Sequence, residues 1–315
     1  MPSYSGVWSL PAQMQAVGQG LWSNFLSGNI GIFAGIQGLA SNSNVIQYIN
    51  IATVGNATDF GDLTTTTRGA GGCASTTRGV FGGGVRSNNT SNIVDYITIA
   101  SAGNATSFGS LTLARYSVSG LSNSTRGCFG AGRDNGGSAV NVMDYITIAS
   151  TGNAVDFGDV TVARYELAGC SSSTRGVFGA GSASNVIDYI TIASTGNAVD
   201  FGDAPFATSI WGGCSSSTRG LFAGEDTGSK NSIIYITIAT TGNAVDFGDL
   251  TVGRVGAAGV SSSIRGVFGG GDAGTYSNII DYVTIATTGN AVSFGQLTNS
   301  GPYSAGCSNC HGGLQ

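Results

Sequence analysis

Val186-Ile187-Asp188-Tyr189-Ile190-Thr191-Ile192, then Thr195-Gly196-Asn197, then Ala198-Val199-Asp200-Phe201: the reading of this stretch decides the fold. The first run is β-branched and aromatic, too short for a helix and flanked by Asn and Gly, so it reads as a strand. The Gly-Asn pair supplies the positive φ of a tight hairpin, and the run ending in Phe201 returns as a second strand. Along the first strand Ile187, Tyr189 and Thr191 face one side, while Val186, Ile190 and Ile192 face the other. Both faces are largely apolar, so a sheet built from this strand must be covered twice.

Working outward, the Tyr-Ile-Thr-Ile motif and its variants recur at Tyr48, Tyr96, Tyr145, Tyr189, Tyr235 and Tyr282, giving six units of roughly 47 residues. A Phe follows each Tyr by twelve residues (Phe60, Phe108, Phe157, Phe201, Phe247, Phe294). From the first five of these, 21 residues lead to the Phe of an Arg-Gly-x-Phe segment: Phe81, Phe129, Phe178, Phe222 and Phe268. Only the link from that segment to the next Tyr changes length, from eleven to sixteen residues. Two further apolar runs complete each unit, as in Leu167-Ala168-Gly169-Cys170 and Gly176-Val177-Phe178-Gly179. Four short strands per unit, repeated six times and apolar on both faces, predict an all-β, six-bladed β-propeller of four antiparallel strands per blade.

Closing the ring removes exposed sheet ends. The tail Tyr303-Ser304-Ala305-Gly306-Cys307 matches a first strand and Gly31-Ile32-Phe33-Ala34-Gly35 a second, so a C-terminal strand is expected to complete the blade that the N-terminal segment opens. Leu21-Trp22-Ser23-Asn24-Phe25 competes for the same place. Residues 1–20 are expected to be an arm or edge strand, and residues 21–315 the propeller.

Composition agrees. The 53 glycines favour tight turns, charged residues are 9% of the chain, and a 41% hydrophobic content is enough for a core. A net charge of −5, without a basic stripe, disfavours nucleic acid as a partner. No apolar run is long enough for membrane insertion, and the opening Met1-Pro2-Ser3-Tyr4 lacks a signal-peptide pattern. Cys73, Cys170, Cys214 and Cys307 share one repeat position and read as small buried residues on separate blades rather than disulfide partners.

Cys307-Ser308-Asn309-Cys310-His311 spells the attachment pattern of a c-type haem. Cys307 belongs to the repeat, however, and His311 is the one histidine, so neither haem nor zinc is expected and no cofactor is assigned. Asp-Phe-Gly at Asp59, Asp156, Asp200 and Asp246 is strand punctuation without the other parts of a kinase. The repeated Ser-Ser-Ser-Thr segments have no base to activate them, so no enzyme is read here. The Arg of each Thr-Arg-Gly (Arg78, Arg126, Arg175, Arg219, Arg265) and the Asp before the repeated Tyr (Asp95, Asp144, Asp188, Asp281) suggest ion pairs or Arg-to-carbonyl bonds that pin blade to blade.

The order of a Gly doublet (Gly82-Gly83, Gly269-Gly270), a Tyr, an aromatic twelve residues on and an Arg (Arg115, Arg164, Arg254) resembles the kelch repeat, with Phe in place of the usual Trp. The whole chain, including Tyr4-Ser5-Gly6-Val7-Trp8-Ser9-Leu10-Pro11-Ala12-Gln13, looks like the kelch-like repeat proteins of tailed bacteriophages of marine cyanobacteria and related hosts. That resemblance implies a virion protein assembled in the host cytoplasm and present in many copies or as a homo-oligomer. A tail fibre or host-contact role is the leading expectation, and capsid decoration the alternative. Its partners would be other virion proteins and a host-surface glycan or protein. A carbohydrate-active enzyme on the same scaffold is the rival reading. The expected contact residues come from the variable link: Arg86, Asn88, Asn89, Arg133, Asp134, Asn135, Glu225, Asp226, Lys230, Asp272 and Tyr276.

Overall fold

Residues 28–39, 41–182, 184–225 and 231–314 are described by the computed structural model. They form six four-stranded antiparallel sheets arranged as a ring, a six-bladed β-propeller. Blade 4 is typical, with strands Ala168–Ser171, Arg175–Gly181, Ser184–Thr191 and Val199–Asp203 running outward from the axis. Among the described residues the one helical segment is a single 3-10 turn, Gly312–Leu314. The chain has no helix long and apolar enough to cross a membrane among those residues.

The C-terminal strand closes the ring. Ala305–Ser308 pairs with Ile30–Gln37, placing Cys307 opposite Ile32 and Gly306 opposite Phe33. The competing segment Leu21–Phe25 and the arm at 1–20 lie outside the described residues.

Six inner strands surround the axis, and each contributes one glycine: Gly72, Gly120, Gly169, Gly213, Gly259 and Gly306. A Cβ on Gly120 would lie 2.3 Å from the carbonyl oxygen of Gly72, and one on Gly259 2.4 Å from that of Gly213. The ring can close to this radius only with no side chain there. The next inner residue is Cys in four copies, and its thiol fills the space left by the glycine of Arg-Gly-x-Phe one blade on. A Cβ on Gly220 would meet Cys170 Sγ at 2.4 Å, and one on Gly127 would meet Cys73 Sγ at 2.5 Å. These cysteines are therefore packing residues at blade interfaces. Cys73, Cys128, Cys170, Cys214 and Cys307 are free and buried, and burial pushes the thiols of Cys128, Cys214 and Cys307 up to about 12.

The repeated Phe and Tyr have different roles. Phe157, Phe201 and Phe247 are buried in clusters that draw on two adjacent blades, whereas each Tyr is half-buried. Tyr189 meets Phe201 edge-on at 6.1 Å, and the guanidinium of Arg175 covers its other side at 4.3 Å. Arg175 Nη1 then donates to the carbonyl of Ile238 on the next blade at 2.9 Å. Arg126, Arg219 and Arg265 repeat the same bridge to Ile192, Ile285 and Ile51, and Arg78 reaches Ile148. The Thr-Arg-Gly arginines thus pin blades through carbonyls.

The repeated Asp takes a different arginine. Asp144, Asp188 and Asp281 are fully buried and pair with Arg115, Arg164 and Arg254 at 2.7 Å. A threonine hydroxyl from the same connection (Thr112, Thr161, Thr251) donates to the carboxylate as well. Desolvation lowers the Arg115 and Arg164 pKa, opposed by the paired aspartates. Where the chain departs from this triad, the members change together. In blade 5 the three positions are Pro205, Thr208 and Ile234. In blade 1 Gly301 replaces the Arg, and neutral Gln47 replaces the Asp while still accepting from Thr298. A buried charge without its partner costs several kcal/mol, which accounts for the joint loss.

Blade 2 solves the same problem differently, and this corrects one expectation. Thr67 stands at the arginine position although Asp95 is present, and the missing cation comes from Arg86. Arg86 lies in a short hairpin, Val85–Arg86 with Asn89–Thr90, that adds to the outer edge of blade 1. At 4% exposure its side chain is committed to Asp95, so Arg86 is a core residue and not a surface contact. Strand alternation cannot reveal this, because the residue reaches its partner from the variable link.

Candidate functional site

The strand order divides the propeller into two unlike rims. Turns joining first to second and third to fourth strands emerge on one rim. They have nearly uniform sequence and length, such as Ser172-Ser173-Thr174 and Thr195-Gly196-Asn197. Links from second to third strands, and from one blade to the next, emerge on the other rim. The two kinds of link are bonded to each other there, as in Gly132 N–H to Arg164 O and Gly181 N–H to Thr208 O.

The uniform rim is plugged on the axis by the C-terminal tail. Each of Ser122, Ser171, Ser215, Ser261 and Ser308 donates its hydroxyl to the carbonyl of the preceding blade, at 2.7 to 2.9 Å. The sixth position is Ala74, and His311 stands beside this break in the ring: its Nε2 lies 3.1 Å from Ala74 O and 3.2 Å from Ser122 Oγ. Nδ1 accepts the Gly313 amide at 3.1 Å. That arrangement needs a neutral ring with its proton on Nε2, and desolvation accordingly holds the His311 pKa down at about 4. Cys307 Sγ faces Gly79 of blade 2, and Cys310 Sγ approaches Ser261 O. The C-x-x-C-H residues are therefore divided between a blade interface and the axial plug, with no shared face for a haem. No group of three or more His, Cys, Asp or Glu among the described residues is placed to hold a metal ion.

The variable rim holds most of the expected contact residues. Asn88, Asn89 and Asn135 are exposed. Asp134 Oδ1 accepts the amides of Gly136 and Ser138, and Asp272 Oδ1 that of Gly274, so both carboxylates shape their own turns. Arg133 lies 3.5 Å over the ring of Tyr165. Tyr276 accepts from Gln37 of blade 1, which in turn accepts from Arg68 Nη1 at 2.6 Å. The Glu225 side chain, Asp226 and Lys230 lie outside the described residues.

A shallow cleft with room for about 100 Å³ opens on this rim beside the axis, smaller than a pocket that encloses a whole small ligand. Arg68, Tyr116, Ser117, Glu166, Trp211 and Tyr303 line it, and the Trp211 and Tyr303 rings meet tilted at 43° with centroids 4.5 Å apart. None of these six belongs to the length-variable links that sequence reading singled out. The signal lay in the columns of the repeat. Counting back four residues from Cys307 and its equivalents gives Gly69, Ser117, Glu166, Ile210, Gly256 and Tyr303. All but Ile210 have left-handed backbone, with φ from +55° to +72°. Glycine takes that conformation freely, whereas a non-glycine residue costs roughly 1–2 kcal/mol. Ser117, Glu166 and Tyr303 occupy it nonetheless, and all three line the cleft. The neighbouring column reads Ala70, Val118, Leu167, Trp211, Ala257 and Ser304, with one large aromatic among small and aliphatic residues. No protein-family model matches the chain, and no curated protein is significantly similar to it.

Proposed function

We propose that this chain is a non-enzymatic recognition propeller of a tailed-phage particle, with the variable rim as its contact surface. The observation that supports this reading is the asymmetry of the rims. Loop-length variation and an aromatic cleft gather on one rim, while the other is uniform and its axis is closed by the chain's own tail. A rigid ring with one variable face is an economical way to present loops. The phage assignment comes from the repeat pattern and the opening segment, which resemble kelch-like phage proteins.

The test is mass spectrometry of purified particles from the culture that produces the chain, combined with labelling by two antibodies. One antibody is raised against the Asp134–Ser138 turn on the variable rim, the other against the Thr287–Asn290 turn on the uniform rim. The expected result is a particle-borne chain labelled through Asp134–Ser138 and shielded at Thr287–Asn290. Absence of the chain from particles overturns the virion assignment, and the reverse labelling overturns the choice of rim.

A further inference from the structure

We propose that the axial cleft on the variable rim binds a neutral saccharide, with Trp211 and Tyr303 as its stacking wall. The inference names a ligand class for the contact face argued above and rests on that reading.

Three properties of the cleft point to this chemistry. Its walls combine aromatic faces from Trp211, Tyr303 and Tyr116 with one cation, Arg68, and one carboxylate, Glu166. Formal charge sums to zero, so a charged ligand gains no net attraction. A sugar ring gains on both counts: its C–H face sits on the negative face of an aromatic ring, and its hydroxyls donate to a carboxylate and accept from a guanidinium. Arg68 is also held before any ligand arrives, through Gln37 and Tyr276, which reduces the ordering cost of binding.

Secondly, the aromatic residues are not required to build a blade. The inner-strand column that holds Trp211 is Ala, Val, Leu, Ala or Ser in the other five copies. Tyr303 adopts φ 67° where two other copies use glycine. Its ring in turn demands Gly256, since a Cβ there would lie 2.8 Å from Tyr303 Cδ1. Backbone strain and a neighbouring vacancy are thus both spent on placing one phenol ring at the cleft.

Thirdly, the axial recess next to the cleft contains unfilled hydrogen-bonding capacity. Trp211 Nε1 and Ser304 Oγ are buried and have no hydrogen-bond partner among the described residues, and both side chains line that recess. A hydroxyl-bearing ring that shifts the Trp211 indole outward gives the buried Nε1 a partner.

The test is isothermal titration of the full chain with maltohexaose, cellohexaose, mannohexaose and chitohexaose. Sialyllactose and a heparin hexasaccharide serve as charged probes, and a Gly-Ser hexapeptide as a peptide probe. At least one neutral oligosaccharide is expected to bind with millimolar or tighter affinity. Trp211→Ala should weaken it by about tenfold or more. Tyr303→Gly should do the same with little change in Tm, because glycine suits that backbone and this offsets the lost ring contact with Trp211. The second variant separates a binding role from a structural one. No neutral ligand bound at about 10 mM, binding restricted to the charged or peptide probes, or full affinity in both variants would overturn the inference. The two readings fail separately. Saccharide binding by a chain absent from particles removes only the virion assignment, and loop-rim labelling without saccharide binding removes only this one.

Discussion

Arg164 and Asp188 meet at 2.7 Å with their side chains 1% and 0% exposed, linking the connection out of blade 3 to the third strand of blade 4. The same pair recurs as Arg115–Asp144 and Arg254–Asp281. Each arginine also donates to the carbonyl of the second-strand phenylalanine, Phe129, Phe178 or Phe268. One buried group thereby fixes three parts of a blade. Asp188→Ala alone should destabilise the propeller by about 3–5 kcal/mol, since it strands a buried guanidinium. Arg164→Thr with Asp188→Ile copies what blade 5 carries at Thr208 and Ile234. That double variant should recover most of the loss. Urea denaturation of Arg164→Thr, Asp188→Ile and the double variant measures the coupling, and simple additivity would show that the pair does not act as a unit.

A second prediction separates two glycines that look alike in sequence. Gly120 faces the axis, where an added Cβ would lie 2.3 Å from Gly72 O, whereas a Cβ on Gly103 would meet nothing within 4 Å. Gly120→Ala should therefore prevent closure or cost more than about 3 kcal/mol, by the logic of overpacking against rigid backbone. Gly103→Ala should be neutral or stabilise by up to about 1 kcal/mol through the unfolded chain. Thermal unfolding of the two variants decides it.

The fold was legible because its signals are local and repeated: strand alternation, hairpin residues and two invariant spacings. The matching of Ala305–Ser308 to Ile30–Gln37 followed from repeat position alone. What could not be read was which side chains cross between units. Asp188 was recognised as periodic, but Arg175 and Arg164 are both periodic arginines, and only three-dimensional placement separates the carbonyl bridge of one from the ion pair of the other. Arg86 was misplaced for the same reason, as it stands in a length-variable link yet fills a core position. Loop length does not reveal the cleft. Its residues are instead substitutions within fixed-length columns, where Trp211 and Tyr303 depart from the repeat.

His311 should make stability depend on pH. Its folded pKa is held down at about 4 against an ordinary 6.5, so the unfolded chain takes up a proton first as pH falls. The contribution is complete above about pH 6.5, declines as pH drops from there to about 4, and is lost below that. Its upper limit is about 3 kcal/mol at 1.36 kcal/mol per pKa unit. His311→Gln should flatten this part of the profile measured by urea unfolding between pH 4 and 7. An unchanged slope would show that the imidazole titrates in the fold as it does in water.

The last prediction concerns the link that begins at Arg133. Arg133 lies over Tyr165 and Asp134 organises the turn, while Asn135, Gly136 and Gly137 are exposed. Removing Asn135 and Gly136 should cost little stability, because closure entropy changes only logarithmically with loop length. Arg133→Ala should cost about 1 kcal/mol through the lost cation–π contact. If the chain is a virion protein and the variable rim its contact surface, the deletion should weaken attachment of the particle to its target while leaving particle assembly intact. An adsorption assay on particles carrying the shortened chain separates the two effects. Full adsorption after the deletion, together with weakened adsorption for Tyr303→Gly, would move recognition from the loop tips to the axial cleft, since the deletion leaves Trp211 and Tyr303 in place.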